Sequence, residues 1–148
     1  MQDKVTIKQV TWEEANRQLR QVREQVFVGE RFVPREVEFD HKDQSARHVL
    51  ASDEQGHPIG CGRITSRGMI SRIAVVSHHR RQGLGGAILS ALLNIAREMD
   101  MQRVSIAAKL DVVDFYRQHG FQCEGQVYMQ AGRPRQNLSC AVDNFSAN

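Results

Sequence analysis

Only three cysteines occur in the 148 residues, Cys61, Cys123 and Cys140, and they are far apart and odd in number. That excludes a disulfide framework, and no C-x-x-C pair or Cys/His cluster has zinc spacing, so no metal site is expected. Reduced thiols of this kind suit a cytoplasmic protein, with the cysteines expected as small buried residues rather than nucleophiles. No stretch approaches the roughly 20 apolar residues of a membrane span. The opening segment, M-Q-D-K-V-T-I, lacks an apolar signal core. Internal repeats and low-complexity segments are also missing. Charge of one sign is not strongly in excess: 20 Lys and Arg against 17 Asp and Glu give a net charge of +3, spread along the chain. That suits an anionic small ligand and is too little by itself to argue for nucleic acid. Length and an ordinary 41% hydrophobic fraction fit one globular domain over residues 1–148.

What is present reads as a mixed α/β chain. Val5 to Val10 alternates like a strand. Thr11 with Glu14 forms a capping box, and Trp12, Ala15, Leu19, Val22 and Val26 then recur at helical spacing, predicting one helix from Trp12 to Val28 with Gly29 as terminator. Arg31 to Ser45 reads as an irregular segment mixing Glu36, Glu38, Asp40 and Asp43 with apolar side chains. Arg47 to Ser52 and Pro58 to Thr65 read as a hairpin. Gly60 and Gly62 predict a bulge or a close packing contact in its second strand. Met69 to Val76 is a third antiparallel strand. A helix follows, with Leu84, Ile88, Leu92, Ile95 and Met99 on one face. Then come a strand (Val104 to Ala108), a short helix (Val112 to His119), and a strand from Phe121 to Met129. Arg133-Pro134-Arg135 is expected to interrupt the chain before a last strand from Asn137 to Val142.

The chemistry concentrates in Val75 to Leu89, where an apolar strand meets a basic glycine-rich turn that opens a helix. A helix N-terminus offers unpaired N–H groups and the positive end of its dipole to a phosphate. Gly83, Gly85 and Gly86 let a ligand approach the backbone, and Arg80 and Arg81 add positive charge. A dinucleotide fingerprint would need G-x-G-x-x-G after the first strand of a β-α-β unit. Here Arg80-x-x-Gly83-x-Gly85-Gly86 follows three antiparallel strands, and the Walker Lys-Ser/Thr pair is missing. His78 and His79 are adjacent and make a poor metal pair. No Ser-His-Asp or Cys-His arrangement has a local signature.

Arg80-Arg81-Gln82-Gly83-Leu84-Gly85 resembles the Q/R-x-x-G-x-G/A motif of the GNAT family of acetyl-CoA-dependent N-acetyltransferases. Phe115-Tyr116-Arg117-Gln118-His119-Gly120-Phe121 resembles that family's F-Y-x-x-x-G-F. The N-terminal half is similar to small bacterial members through Arg23-x-x-Val26-Phe27-Val28 and Glu38-Phe39-Asp40-x-x-Asp43 followed by His48. The resemblance implies the GNAT fold, a mixed, mostly antiparallel sheet with helices on both faces. It implies transfer of acetyl from acetyl-CoA directly to a primary amine, a small molecule or peptide, with no metal. The pyrophosphate would lie on residues 80 to 86: Arg80, Arg81, Gln82, Gly83, Leu84, Gly85 and Gly86. Ile73, Ala74 and Val75 would pair with the pantetheine arm as an extra strand would, and a backbone N–H near Val75 could meet the oxyanion. Tyr116 would be the general acid to the departing thiolate.

Three departures from the family pattern stand out. Relatives often carry a carboxylate on the strand matching Met69–Val76, and this one offers only Ser71 and Arg72. Glu38, Asp40 and His48 are therefore the candidates for base or acceptor contact, each with a structural role as its alternative. Lys109 stands where relatives commonly have Asn or Gln near the cofactor. Arg133-Pro134-Arg135-Gln136 replaces a segment that in the subgroup carries an acidic residue and a histidine. The acidic segment suggests a cationic amine as acceptor. Two other classes remain: a GNAT-like acyl-CoA sensor without turnover, and a basic nucleic-acid module on Arg80, Arg81, Arg133 and Arg135, which lacks an aromatic stacking platform. A homodimer is compatible with the reading, and neither nucleic acid nor membrane is an expected partner.

Overall fold

The computed structural model describes residues 4–147. Residues 1–3, which open the segment read above for a signal core, and residue 148 lie outside the described residues. The elements run β1 (Thr6–Val10), α1 (Trp12–Arg23), a π-helical segment (Glu24–Glu30), α2 (Arg35–Glu38), β2 (Arg47–Ser52), β3 (Pro58–Ile64), β4 (Met69–Val75), α3 (Leu84–Glu98), β5 (Arg103–Lys109), α4 (Val113–Gln118), β6 (Gln122–Gln130) and β7 (Arg133–Ala141). The strands form one sheet in the order β1-β2-β3-β4-β5-β7-β6. Its neighbours are antiparallel except β4 and β5, which run parallel. The helices cover both faces, as expected of a mixed, mostly antiparallel α/β fold.

Local signals explain most of the elements. The Thr11 hydroxyl accepts from the Glu14 N–H at 3.1 Å and the Glu14 carboxylate accepts from the Thr11 N–H at 2.8 Å, closing the capping box that starts α1. Ala15, Leu19, Val22 and Val26 are buried against the sheet. On the other face, Leu84, Ile88, Leu89, Leu92, Leu93, Ile95 and Ala96 form the buried stripe of α3. Gly60 and Gly62 are what lets α3 come close. A Cβ on Gly62 would meet Ile88 Cγ2 at 2.8 Å and Leu92 Cδ1 at 2.9 Å, and one on Gly60 would meet Ile88 Cδ1 at 2.9 Å. Alternation along β3 turns Cys61 and Arg63 to the opposite face, under α1.

Three expected boundaries are corrected. The first helix does not run unbroken to Val28. It ends at Arg23, and the chain winds on more widely with Gly29 inside the π-helical segment, where the Arg31 N–H donates to Val26 O at 3.1 Å. The segment 31–45 is not wholly irregular, since α2 begins after Pro34, which has no N–H to lose at a helix start. Arg133-Pro134-Arg135 does not break a strand but begins β7. The turn is Ala131-Gly132, both at positive φ (51° and 75°), the pairing favoured by a two-residue hairpin loop. Pro134 fits because β5 pairs with β7 only from Arg135 onward, so the missing N–H costs no bond there. Cys123 also departs from expectation and is exposed, whereas Cys61 and Cys140 are buried.

The tight glycine contact gives a stability test. Gly62→Val should overpack the α3–β3 interface and cost about 2 kcal/mol in urea unfolding; an unchanged midpoint would show that α3 can withdraw without loss.

Candidate active site

The site begins where the sheet opens. β4 and β5 pair only at Met69↔Ser105 and Ile70↔Ile106. On its other edge β4 continues to pair with β3 as far as Gly60↔Val75, with a register shift between Cys61 and Arg63. Opposite that shift Arg72 holds φ at +59°, a left-handed conformation uncommon outside glycine. The bulge bends β4 away from β5. A wedge is left between the strands, with Ile73 and Val75 half-buried and Ala74 buried along its β4 side.

β4 leads through a short 3-10 turn (Ser77–His79) into the glycine turn and α3. Arg81 at φ +63° and Gly83 at φ +81° turn the chain so that α3 starts at Leu84. No side chain caps this helix start, so the first-turn N–H groups stay open. Nothing lies within 4 Å of where a Gly83 Cβ would be, so glycine is required there by φ and not by a neighbour within the protein. Arg81, Gln82 and Gly83 are exposed, Leu84 is buried, and Gly85 and Gly86 lie over Phe115 and His119 of the next helix region.

Arg80, expected to add charge to this turn, is engaged as a strut. Its Nε donates to Val75 O at 2.7 Å, and its two terminal nitrogens donate to the Glu30 carboxylate at 2.6 and 2.8 Å. The bond ties the end of the π-helical segment to the end of β4. Hydrogen bonding to Arg80 holds the Glu30 carboxyl below its ordinary value.

Tyr116 lies on α4, buried edge-to-face between Phe115 and Phe121. Burial pushes its phenol up to about 12, with the Arg31 guanidinium opposing the rise. Its hydroxyl is hydrogen-bonded by none of the described residues, so it is protonated at neutral pH and available as a donor. Lys109 ends β5 directly opposite Arg135 of β7. Burial and the nearby Arg31, Arg133 and Arg135 charges lower its pKa, with Asp111 opposing.

Glu38, Asp40 and His48 are brought together with partners that sequence reading missed. Arg23, buried at the end of α1, donates to Glu38 at 2.7 Å and to Asp43 at 2.7 Å. Arg63 donates to both oxygens of Asp40, at 2.8 and 3.0 Å, and to Asp43 at 3.1 Å. Arg72 reaches Glu38 at 3.0 Å and Asp40 at 3.2 Å. Three guanidinium groups thus share three carboxylates. His48 closes one side, with Nε2 2.9 Å from Asp43 O and its ring against Trp12. Arg20, Arg23 and Arg35 all lie over the Phe39 ring. Glu38, Asp40 and Asp43 are therefore neutralised from within. Their charge is spent on Arg23, Arg63 and Arg72, so of the segment's carboxylates only the exposed Glu36 is left to attract a cationic amine. The signal that could have found those arginines was the lone Arg63 among glycines and apolar residues in β3.

The cluster carries opposed titrations. Burial raises Asp43 and Asp40, and the hydrogen bonds and charges of Arg23 and Arg63 outweigh it, so both lie below the ordinary carboxylate range. Burial raises Glu38 against Arg72 and Arg23. Arg23 is raised in spite of its burial by Asp43 and Glu38. The 2.7 Å contact identifies Glu38 as ionised, since a neutral carboxyl would leave a buried guanidinium underpaired. Burial lowers His48, which is neutral at pH 7.

These features match known proteins. The family model of the acetyltransferase (GNAT) domain covers residues 8–141. A Bacillus subtilis protein named uncharacterized N-acetyltransferase YjcF is 34% identical over 117 residues, 76% of this chain and 83% of its own. Among solved structures, an acyl-CoA N-acyltransferase from Pseudomonas aeruginosa superposes with TM-score 0.78 at 26% identity, covering 95% of this chain and 100% of that one. Escherichia coli ElaA superposes with TM-score 0.82 at 21% identity over 93% and 99%.

The ion cluster predicts acid lability with a defined sign. Groups whose folded pKa is depressed add stability above their unfolded pKa and lose it as pH falls. For His48 that loss begins below about 6.5, and for Asp40 and Asp43 below about 4. Glu38, raised by burial, acts with the opposite sign to His48 above about 4.5, so the expected signature is a steep fall of the thermal midpoint below about pH 4, where Asp40 and Asp43 are protonated. Asp43→Asn should lower stability at pH 7 and flatten the acid limb; a parallel limb in the variant would assign the lability elsewhere.

Proposed function

Because the chain belongs to the GNAT acetyltransferase family, enzymes that use an acyl-CoA as cosubstrate, we propose that it transfers the acetyl group of acetyl-CoA directly to a small primary amine. The observation that carries the reading is the parting of β4 from β5 beyond Ile70, beside an uncapped helix start at Gly83. An extended amide-bearing arm is the kind of ligand that pairs with a freed strand edge, here Ile73 to Val75. The anionic end suits the N–H groups of residues 81 to 86, where the helix dipole favours negative charge. In this scheme Arg80 shapes the turn through Val75 and Glu30 more than it neutralises phosphate. Lys109 supplies positive charge at the far wall.

The amine nitrogen adds to the thioester carbon, its lone pair forming the C–N bond as the carbonyl pair moves to oxygen; collapse of that tetrahedral oxyanion then restores C=O and breaks the C–S bond. Tyr116 gives its proton to the departing sulfur. The surplus proton on nitrogen leaves to water, which returns one to the phenolate. Burial that raises the phenol also raises a thiolate developing beside it, so donor and acceptor stay matched. A backbone N–H near Val75 serves the tetrahedral oxyanion. The base role falls to water rather than to Glu38, Asp40 or His48. Each of those is held by cluster partners, and proton removal from an ammonium would break a buried ion pair or charge a buried imidazole.

Acetyl-CoA with a panel of amines, followed by thiol release and by mass of the acetylated product, tests the reaction. Tyr116→Phe should lower kcat by about 10²-fold or more while leaving acetyl-CoA affinity within twofold. Full turnover in that variant would remove the acid assignment. Cofactor binding with no thiol release across the panel would favour a sensor.

A further inference from the structure

A set of cations gathers at the C-terminal end of β5, the end at which β4 has parted from it. Lys109 and Arg135 are direct cross-strand partners, and so are Arg135 and Tyr128, so the three side chains share one face of the sheet. Arg133, two residues before Arg135, lies on the same face. It is the face toward the α1 side, because the Arg133 guanidinium donates to Arg31 O at 2.9 Å across 102 residues of sequence. The other face carries Ala108, Gln136 and Leu138, all buried. Arg31, just beyond the π-helical segment, lies over Phe27 and is close enough to Tyr116 to oppose the rise of its phenol.

No ion pair joins Arg31, Lys109, Arg133 or Arg135 to a carboxylate among the described residues. Glu30 is near enough to feel Arg31 and Lys109 but is held by Arg80 through two hydrogen bonds. Arg135 makes one long bond, to Ala107 O at 3.4 Å, and its Nε–H is buried with no partner. A buried guanidinium donor without an acceptor carries a desolvation cost that an anion would offset. Four like charges around one opening repel one another, and Lys109, lowered first by burial, is lowered further by Arg31, Arg133 and Arg135.

Resting on the transferase reading, we infer that the acceptor is a small primary amine bearing its own anion, a carboxylate or a phosphate, which sits on Arg133 and Arg135 while the amine faces Tyr116. The anion offsets the repulsion, and the same field disfavours the ammonium form of the amine. That field helps to supply the neutral nucleophile in a site whose own carboxylates are already paired with arginine.

Matched acceptors test this: β-alanine and phosphoethanolamine against ethylamine and ethanolamine, with acetyl-CoA saturating. The acceptors that carry an anion should exceed those that carry none at least tenfold in kcat/KM, and whichever of the two is better identifies carboxylate or phosphate. Arg133→Gln with Arg135→Gln should raise KM for the anionic acceptor about tenfold, about 1.4 kcal/mol, with Arg135→Lys restoring part of it. Acetyl-CoA affinity should stay unchanged, and the variant should still unfold cooperatively. Equal use of the amines that lack an anion, or a loss of acetyl-CoA affinity in the double variant, would overturn the assignment. If no amine turns over, calorimetry on the CoA-saturated protein still decides. Binding of an anionic amine that ethylamine does not show, lost in the double variant, upholds the anion seat while the transferase reading fails; indifference to the anion overturns the seat.

Discussion

Arg23, Arg63 and Arg72 are held beneath α1 only because Glu38, Asp40 and Asp43 are there to receive them, and the converse holds as well. Taking a charge out of water costs several kcal/mol even after relaxation, so removing any one member leaves an uncompensated buried ion. The cluster's value is therefore less in net stability than in geometry. It fastens the end of α1, α2 and the loop after it to β3 and β4 at fixed distances. Arg72 is the member that reaches into the site, since its backbone makes the bulge that turns β4 from β5. Its guanidinium is locked to Glu38 and Asp40, so the bulge is held by side-chain charge as well as by strand pairing.

The wedge and its surroundings then divide the work by sign of charge. On one side of the opening the carboxylates are buried and matched. At the glycine turn the backbone N–H groups of α3 are uncapped, and Arg80 is drawn away to Glu30. Along the far wall Arg31, Lys109, Arg133 and Arg135 remain without carboxylate partners among the described residues. The residual positive field of the site comes from tertiary arrangement and not from the chain's modest net charge of +3. Tyr116, neutral and buried within reach of that field, has the properties of a proton donor.

Much of the fold was legible because it is written in local terms. The capping box at Thr11 and Glu14, the apolar stripe of α3, and the order of strands and helices depend on neighbours within a few residues. Gly83 could be read in the same way, since a strand-to-helix turn of this shape demands a positive φ there. Elsewhere local reading erred for identifiable reasons. Periodicity does not separate α from π winding over one turn, so Gly29 looked like an end. Proline looked like a break at 134 because nothing local says that β5 stops pairing at Arg135.

The sequence by itself determined the element order, the helix start that can hold an anion, and the tyrosine in its motif, all set by backbone preference and short-range spacing. Only the tertiary structure decided which charges are spent and which are free. Arg23 meets Glu38 across 15 residues, Arg80 meets Glu30 across 50, and Arg133 meets Arg31 across 102. A carboxylate in a sequence carries no mark of the arginine that will neutralise it. That pairing follows from distance and burial, which exist only once the sheet has formed.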